Sequence, residues 1–322
     1  MRTNFSPAQL ADPHLADAEK NLRACVHCGI CTATCPTYVL TGDERDGPRG
    51  RIVMMQQILE TNAAPSPEAV RHIDRCLSCL GCRTACPSGV DYPRLVDTAR
   101  AHIETRYRRP FGERLLRRLI ATVLTRPALA GTMMNLAKMA LPFLFLLPGG
   151  LRRMAEKGAA MKTPAPRKPL ATSSGEKRIA LMPGCVQQAL APEIDESVAR
   201  LLERRGYALV PLEGAGCCGS LVHHLGRESE AQMWAKRAIE SLERAGGAFE
   251  AILISATGCS SHLKDLAHLF AGDPVWQPRA EKFAAKVKDF SELISPRGAE
   301  VPHRLRVAYH APCSLQHGLR IS

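Results

Sequence analysis

Aromatic residues are scarce in this 322-residue chain, where Phe, Tyr and Trp together make up 5%. A formal charge of +12 would suit a polyanion, but no basic stripe is interleaved with rings on which bases could stack, so nucleic acid is not expected as a partner. Long hydrophobic runs are missing too. The best, Met139–Pro148, is broken by Pro142 and falls well short of the roughly 20 apolar residues that cross a bilayer. The N-terminus has no apolar stretch and carries Asp12, Asp17 and Glu19, unlike a secretory signal, so a cytoplasmic location is expected. No G-x-G-x-x-G fingerprint appears, which excludes the commonest dinucleotide-binding turn.

Cysteine is plentiful: there are 13. A reducing cytosol disfavours disulfides, so clustered thiols point to metal or redox chemistry. Eight of them fall in two copies of C-x2-C-x2-C-x3-C-P: Cys25, Cys28, Cys31, Cys35 with Pro36, and Cys76, Cys79, Cys82, Cys86 with Pro87. Three thiolates this close in sequence can take three corners of a four-iron cube, and in two-cluster ferredoxins the fourth cysteine ligates the other cluster. This crossed pattern assigns Cys25, Cys28, Cys31 and Cys86 to one [4Fe–4S] cluster and Cys76, Cys79, Cys82 and Cys35 to the second. Zinc also uses C-x2-C pairs, but two such pairs satisfy it, leaving the third cysteine and the Cys-Pro without a purpose. His27, inside the first motif, is expected to face solvent rather than to ligate. Helices are expected at Arg49–Glu60 and from Tyr92 to Arg109, from the spacing of their apolar residues.

From Pro110 to Gly150 the chain is apolar with scattered arginines and reads as a helical connector, or as a basic amphipathic surface for a membrane or a partner subunit. Lys162–Lys177, rich in Pro, Ser and Thr, reads as a linker. Beyond it strands and helices alternate: strands at Arg178–Met182, Tyr207–Pro211 and Ala251–Thr257, and a helix at Glu193–Gly206 that ends at its glycine. Such alternation builds a parallel α/β layer whose strand ends hold ligands. Cys185, Cys217, Cys218 and Cys259 sit at those ends, each beside a glycine, and are expected to form a third metal site. Finally "RIALMPGC", ending at Cys185, recurs as "RVAYHAPC", ending at Cys313. The second copy is expected to open another α/β lobe and to add Cys313 to the metal-binding set. No second "CCG" follows before Ser322, so the sequence reads as truncated, with a nonfunctional remnant as one alternative.

The stretches "CVHCGICTATCPTYVLTGDERDGPRGRI" and "DRCLSCLGCRTACPSGVDYPRLVD" resemble the iron–sulfur subunit of bacterial glycolate oxidase. "GCVQQALAPEID", "GAGCCGSLVHHLG" and "ATGCSSHL" resemble the first cysteine-rich domain of that family, which heterodisulfide reductases share. The resemblance runs from about Leu22 over nearly the whole chain. It implies an α+β multidomain fold in which a mainly helical, ferredoxin-type domain with two [4Fe–4S] clusters (1–108) precedes a connector and linker (109–176). An α/β cysteine-rich domain (177–300) and the start of a second one (301–322) follow. It also implies FAD-containing glycolate oxidase partner subunits that oxidise the substrate, and electron delivery to an acceptor such as membrane quinone from the inner face of the cell membrane. Subunits serving lactate or glycerol 3-phosphate oxidation share the architecture and stand as alternatives. One departure is Ser260-Ser261-His262 after Cys259, where the related motif continues as C-x2-C; His262 is expected as an exposed residue near the helix start.

Overall fold

The computed structural model describes residues 1–139, 141–146, 149–160, 177–294 and 306–321. The expected linker lies outside them except for Lys177, as do residues 301–305 of the expected final segment. The architecture is α+β: a helical N-terminal part, a helical connector, and a four-stranded parallel sheet with flanking helices.

Three helices carry the N-terminal part. Pro13–Ala24 starts where the Asp12 carboxylate accepts from the backbone N–H of His14 and Leu15, Pro48–Thr61 starts with proline at its first position, and Tyr92–Arg106 likewise has Pro93 in its first turn. Proline there forfeits only an N–H that would lack a partner anyway. Leu22, Ile52, Met55, Leu59, Ile73, Leu95 and Ile103 form one core between them, each fully buried side chain stabilising by about 1.5–3 kcal/mol. The cysteine loops sit against this core. The helices expected at Arg49–Glu60 and from Tyr92 are thus present, the latter ending at Arg106.

The connector forms helices Phe111–Leu124 and Pro127–Met139, which bury Ala121, Ala130 and Met134 and turn larger apolar residues outward. Arg109 anchors its start, donating to Asp74 at 2.6 Å and Glu104 at 3.2 Å.

In the C-terminal part β1 (Lys177–Leu181), β2 (Tyr207–Pro211), β3 (Ala251–Ile254) and β4 (Val287–Asp289) pair in parallel in the order β2-β1-β3-β4. Ile179 pairs with Leu209 on one side and Ala251 on the other. Apolar clusters cover both sheet faces, as parallel sheets require. The third expected strand stops at Ile254 because the helix Thr257–Lys264 begins three residues later. Three-residue β4 is too short to leave a periodic signal in the sequence. Arg306–His310, expected as a strand, forms no ladder: it pairs with neither edge strand of the sheet, β2 or β4, and Val307 and Tyr309 are exposed. Ser314–Leu319 is instead a wide helical turn laid against both parts, with Ser314 Oγ 2.6 Å from Thr257 Oγ1 and His317 Nδ1 2.8 Å from Thr84 Oγ1.

The two parts dock directly. Arg94 donates to Asp265 at 2.5 Å, Arg117 donates to the carbonyl of Leu225 at 2.7 Å, and His14 meets His268 at 3.4 Å. Gly226, at φ +76°, lies so close to the carbonyl of Arg100 that any Cβ would overlap it. Only glycine permits that approach.

Candidate metal centres

The sequence repeat is also a backbone repeat. His27 (φ 58°) and Ser78 (φ 51°) precede the second cysteine of each motif, and Gly29 (φ 80°) and Leu80 (φ 63°) follow it. All four are left-handed, which curls each loop around its own interior. Three are not glycine, and such backbone costs on the order of 1–3 kcal/mol per residue unless its surroundings impose it. Each loop then enters a short helical turn, Ile30–Thr32 or Gly81–Thr84.

Two hollows result. One, with about 430 Å³ of free space including its open mouth, is lined by Cys25, Cys28, Cys31, Cys82 and Cys86. The other, of about 340 Å³ on the same measure, is lined by Cys35, Cys76, Cys79 and Cys82. Pro48 and Tyr92 form part of both walls. Burial, followed by neighbouring thiol charge, pushes up the pKa of Cys31 and Cys82; burial also raises that of Cys79. The hydroxyl of fully buried Tyr92 finds no hydrogen-bond partner, and its pKa is pushed far up by burial and by the thiols of Cys76 and Cys82.

These features test what the thiols can hold. A tetrahedral zinc would gather its sulfurs to within about 3.8 Å of one another. Among the described residues the only trio of ligand atoms within 4.8 Å is Asp43, Asp46 and His72, so no three thiols converge on a single ion. Thiols spaced around a hollow, with an orphaned hydroxyl between, fit a group larger than one metal ion.

Behind the second hollow lies a charged cluster that sequence reasoning missed. Asp46 is fully buried, 2.7 Å from His72 Nδ1, 3.0 Å from Arg75 Nη1 and 3.7 Å from Arg51 Nη2. Burial works against its carboxylate, but His72 and Arg75 hold its pKa below the usual range. Arg51 also donates to the carbonyl of His72 at 2.7 Å and lies 3.7 Å from Cys35 Sγ. Only the arginine-rich "RDGPRGR" hinted at it. His27, expected to face solvent, is half-exposed, but its Nε2 is shielded and without a partner, and burial, with the N-terminal ammonium and Arg49, lowers its pKa.

In the C-terminal part all four expected thiols meet at the ends of parallel strands. Cys185 opens the helix after β1, Cys217 and Cys218 lie in the loop after β2, and Cys259 lies on the helix after β3. Cys185 Sγ is 3.3 Å from Cys217 Sγ, and Cys218 Sγ is 3.1 Å from Cys259 Sγ. Shared hydrogen bonds and burial drive Cys185, Cys217 and Cys218 upward, Cys217 to about 12. Gly216, at φ +71°, packs under Trp234, where an added Cβ would come within 2.5 Å of the ring. Cys313 is exposed and outside this group; the turn that follows it, not a strand, fixes its place. His262 is also corrected: it is the sixth residue of its helix, its Nε2 is buried without a partner, and burial beside His223 and His224 holds its pKa far below normal.

Fold and thiol geometry define the class: an iron–sulfur protein with a two-cluster domain followed by a cysteine-rich α/β domain. The family description "4Fe-4S dicluster domain" matches residues 21–90, and "Cysteine-rich domain" matches residues 179–264. The chain is 36% identical over 327 aligned residues to the glycolate oxidase iron-sulfur subunit of Escherichia coli (strain K12), covering all of this chain and 78% of that protein. It is 31% identical over 295 residues to a Bacillus subtilis (strain 168) protein named "Probable glycolate oxidase iron-sulfur subunit", covering 86% and 66%. Over 150 residues it is 33% identical to "Lactate utilization protein A" of Exiguobacterium sp., covering 44% and 59%. No solved structure matches. The chain belongs to the family of glycolate oxidase iron–sulfur subunits.

Proposed function

We propose that this chain is the electron-transfer subunit of a glycolate-oxidising complex, taking electrons from an FAD-containing partner that oxidises the substrate and passing them to quinone. The carrying observation is the pair of thiol-lined hollows with shared walls. In this reading Cys25, Cys28, Cys31 and Cys86 hold one [4Fe–4S] cluster and Cys76, Cys79, Cys82 and Cys35 the other; Cys35 lines only the second hollow and Cys86 only the first, which supports the crossing. Bound clusters supply one-electron storage without proton transfer. The protein contributes the rest. Left-handed loops aim the thiols inward, Tyr92 and Pro48 exclude water between the hollows, and the exposed Cys28 edge leaves a short path to a docked donor.

The domains are assigned as 1–108, 109–176 and 177–300, with 301–322 beginning a further segment. Cys185, Cys217, Cys218 and Cys259 are assigned to a further iron–sulfur site; their contacting pairs at three strand ends support it.

The connector supplies a surface for the inner face of the membrane. No helix among the described residues is long and apolar enough to cross a bilayer. Yet Phe111, Leu115 and Leu119 line one face of the first connector helix, and Leu129, Met133 and Leu136 one face of the second, all exposed. Residues 108–157 carry ten Lys and Arg against two acidic residues, and apart from Arg109 and Arg117, which pair inward with Asp74 and Glu104, these cations are left for the outer surface. An apolar stripe rimmed by cations lies on anionic lipid rather than through it.

The test is anaerobic capture of the chain with its partners, followed by addition of glycolate, lactate or glycerol 3-phosphate. Bleaching of the visible iron–sulfur absorption by glycolate, with a co-captured flavoprotein, is the expected result. Bleaching by lactate alone would move the chain to the second substrate, the reading favoured by the shorter relative.

A further inference from the structure

We infer that Arg51 sets the reduction potential of the cluster held by Cys35, so that electrons collect on the side of the wire that faces the cysteine-rich domain. The inference rests on the ligand assignment above. Arg51 is among the largest fully buried side chains, 1% exposed, and a guanidinium stays charged at any depth. Nη1 lies 3.7 Å from Cys35 Sγ, Nη2 donates to Thr37 Oγ1 at 3.1 Å, and Nε donates to the carbonyl of His72. These contacts fix the planar fork against a ligand sulfur.

Its charge is not cancelled locally. Asp46 is the buried anion beside it, but Asp46 also accepts from Arg75 at 3.0 Å and bonds to His72 at 2.7 Å. Asp43 lies within 4.8 Å of Asp46 but is taken up, with Glu68, by Arg45 at the exposed rim, so two guanidinium groups share the one carboxylate buried behind Cys35. The side chain nearest the first hollow that could do the same is Arg49. It is 37% exposed and neutralised by Glu44 at 2.7 Å, and it donates to the carbonyl of His27 rather than to a sulfur.

A reduced cluster carries one more negative charge than an oxidised one. Cations and hydrogen bonds directed at its sulfurs stabilise that extra charge and raise the potential; burial amplifies the effect because little water screens it. The position of the second hollow gives this a direction. Leu77, Ser78 and Leu80 of its loop line a cavity whose opposite wall is Ser220, Gly258 and His262, neighbours of Cys218 and Cys259. The first loop instead presents Cys28 and Val26 to solvent. An electron entering at the first cluster thus comes to rest at the second, against the cysteine-rich domain.

The test is a potentiometric titration of the two-cluster protein followed by electron paramagnetic resonance, with iron and sulfide content measured alongside. The signal altered by Cys35→Ser identifies the cluster in question, so a wrong ligand assignment shows itself there and is separable from failure of the Arg51 inference. Arg51→Gln is expected to shift that signal alone to lower potential, and Arg51→Lys to recover much of the shift. Where Arg51→Gln loses the cluster, Arg75→Gln provides an independent arm: it frees Asp46 to neutralise Arg51 without touching a thiol environment, and the same signal should shift the same way by less. Arg49→Gln should leave it in place. Equal shifts of both clusters in Arg51→Gln, or no shift in either Arg51→Gln or Arg75→Gln with iron retained, would overturn the inference. So would loss of the cluster in Arg51→Gln together with an unmoved signal in Arg75→Gln.

Discussion

The two cysteine systems of this molecule are built on opposite plans. In the helical part each hollow is lined mainly by the thiols of one curled loop, joined by Cys82 and Cys86 at the first and by Cys35 at the second, and the sulfurs stand apart around hollows. In the α/β part the four thiols come from three strand ends spread over 75 residues, and they touch in pairs at 3.3 and 3.1 Å. A loop whose own backbone holds its thiols apart is pre-shaped for its ligand, whereas thiols in contact must separate to accept a bulky group. The first system should therefore tolerate damage elsewhere in the chain, and the second should depend on the intact sheet.

The largest effect that would break this comparison concerns Cys86. Cys86→Ser should remove the cluster held by Cys25, Cys28 and Cys31, halving the roughly eight irons of the two-cluster part, with the second cluster's spectrum retained. Loss of only the cluster formed by the nearby Cys76, Cys79 and Cys82 would show that the ligation is local and not crossed. Next in size is Asp46→Ala. Removing the carboxylate shared by Arg51, His72 and Arg75 leaves buried charge uncompensated, at a cost of about 3–5 kcal/mol. Chemical denaturation of the loaded protein should show that loss in the helical transition, with the α/β transition little changed. Smaller is Cys259→Ser, which should leave the two-cluster irons in place and remove only iron bound beyond them. A drop in the first eight would mean that the two systems are not independent.

Much of this plan is legible in the sequence, and unevenly so. C-x2-C-x2-C-x3-C-P is legible because three ligands and the turns that aim them lie within eleven residues; local chemistry leaves a local signature. Strands β1 to β3 are legible because burial on both faces makes them short apolar runs bounded by polar or glycine residues. Arg51 was not, since an arginine at a helical position reads as a solvated face until Asp46 and Cys35 are brought round it by tertiary packing. Nor was the burial of His262, whose surroundings come from His223 and Asp97, far away in sequence. "RVAYHAPC" failed in the other direction. Its residues favour a strand, but a strand exists only where it pairs with a neighbour's backbone, and Arg306–His310 is docked on neither free edge of the sheet.

The smallest effect sharpens the boundary between the two systems. Asp97, on the helical part, lies 3.4 Å from His223 Nε2 and 3.3 Å from His224 Nδ1 of the α/β part, with Arg100 at 3.8 Å on its own helix. Burial opposes its charge, but the two histidines and their hydrogen bonds hold its pKa well below the usual carboxylate range, and Asp97 in turn raises that of His223 despite burial. The signs differ. A carboxylate with a lowered pKa contributes stability above about pH 4, lost as pH falls further; a histidine with a raised pKa contributes fully below about pH 6.5 and loses it as pH rises through the raised value. Glu228 and Asp265 add to the rise at His223, while His262 beside it and His268 at the same boundary are lowered by burial, so both work against docking as pH falls below about 6.5. The Asp97–His223 contribution to docking should therefore be largest between about pH 4 and 6.5 and fade above it. Limited proteolysis between the two parts, followed across pH 5 to 9, should accelerate as pH rises in the native chain. Asp97→Asn should flatten that dependence and cost about 1–2 kcal/mol at pH 6. An unchanged pH profile in Asp97→Asn would mean that the parts are held by the other contacts, among them Arg94–Asp265, Arg117 on the Leu225 carbonyl and the Gly226 approach, and that His223 and His224 are packing rather than electrostatics.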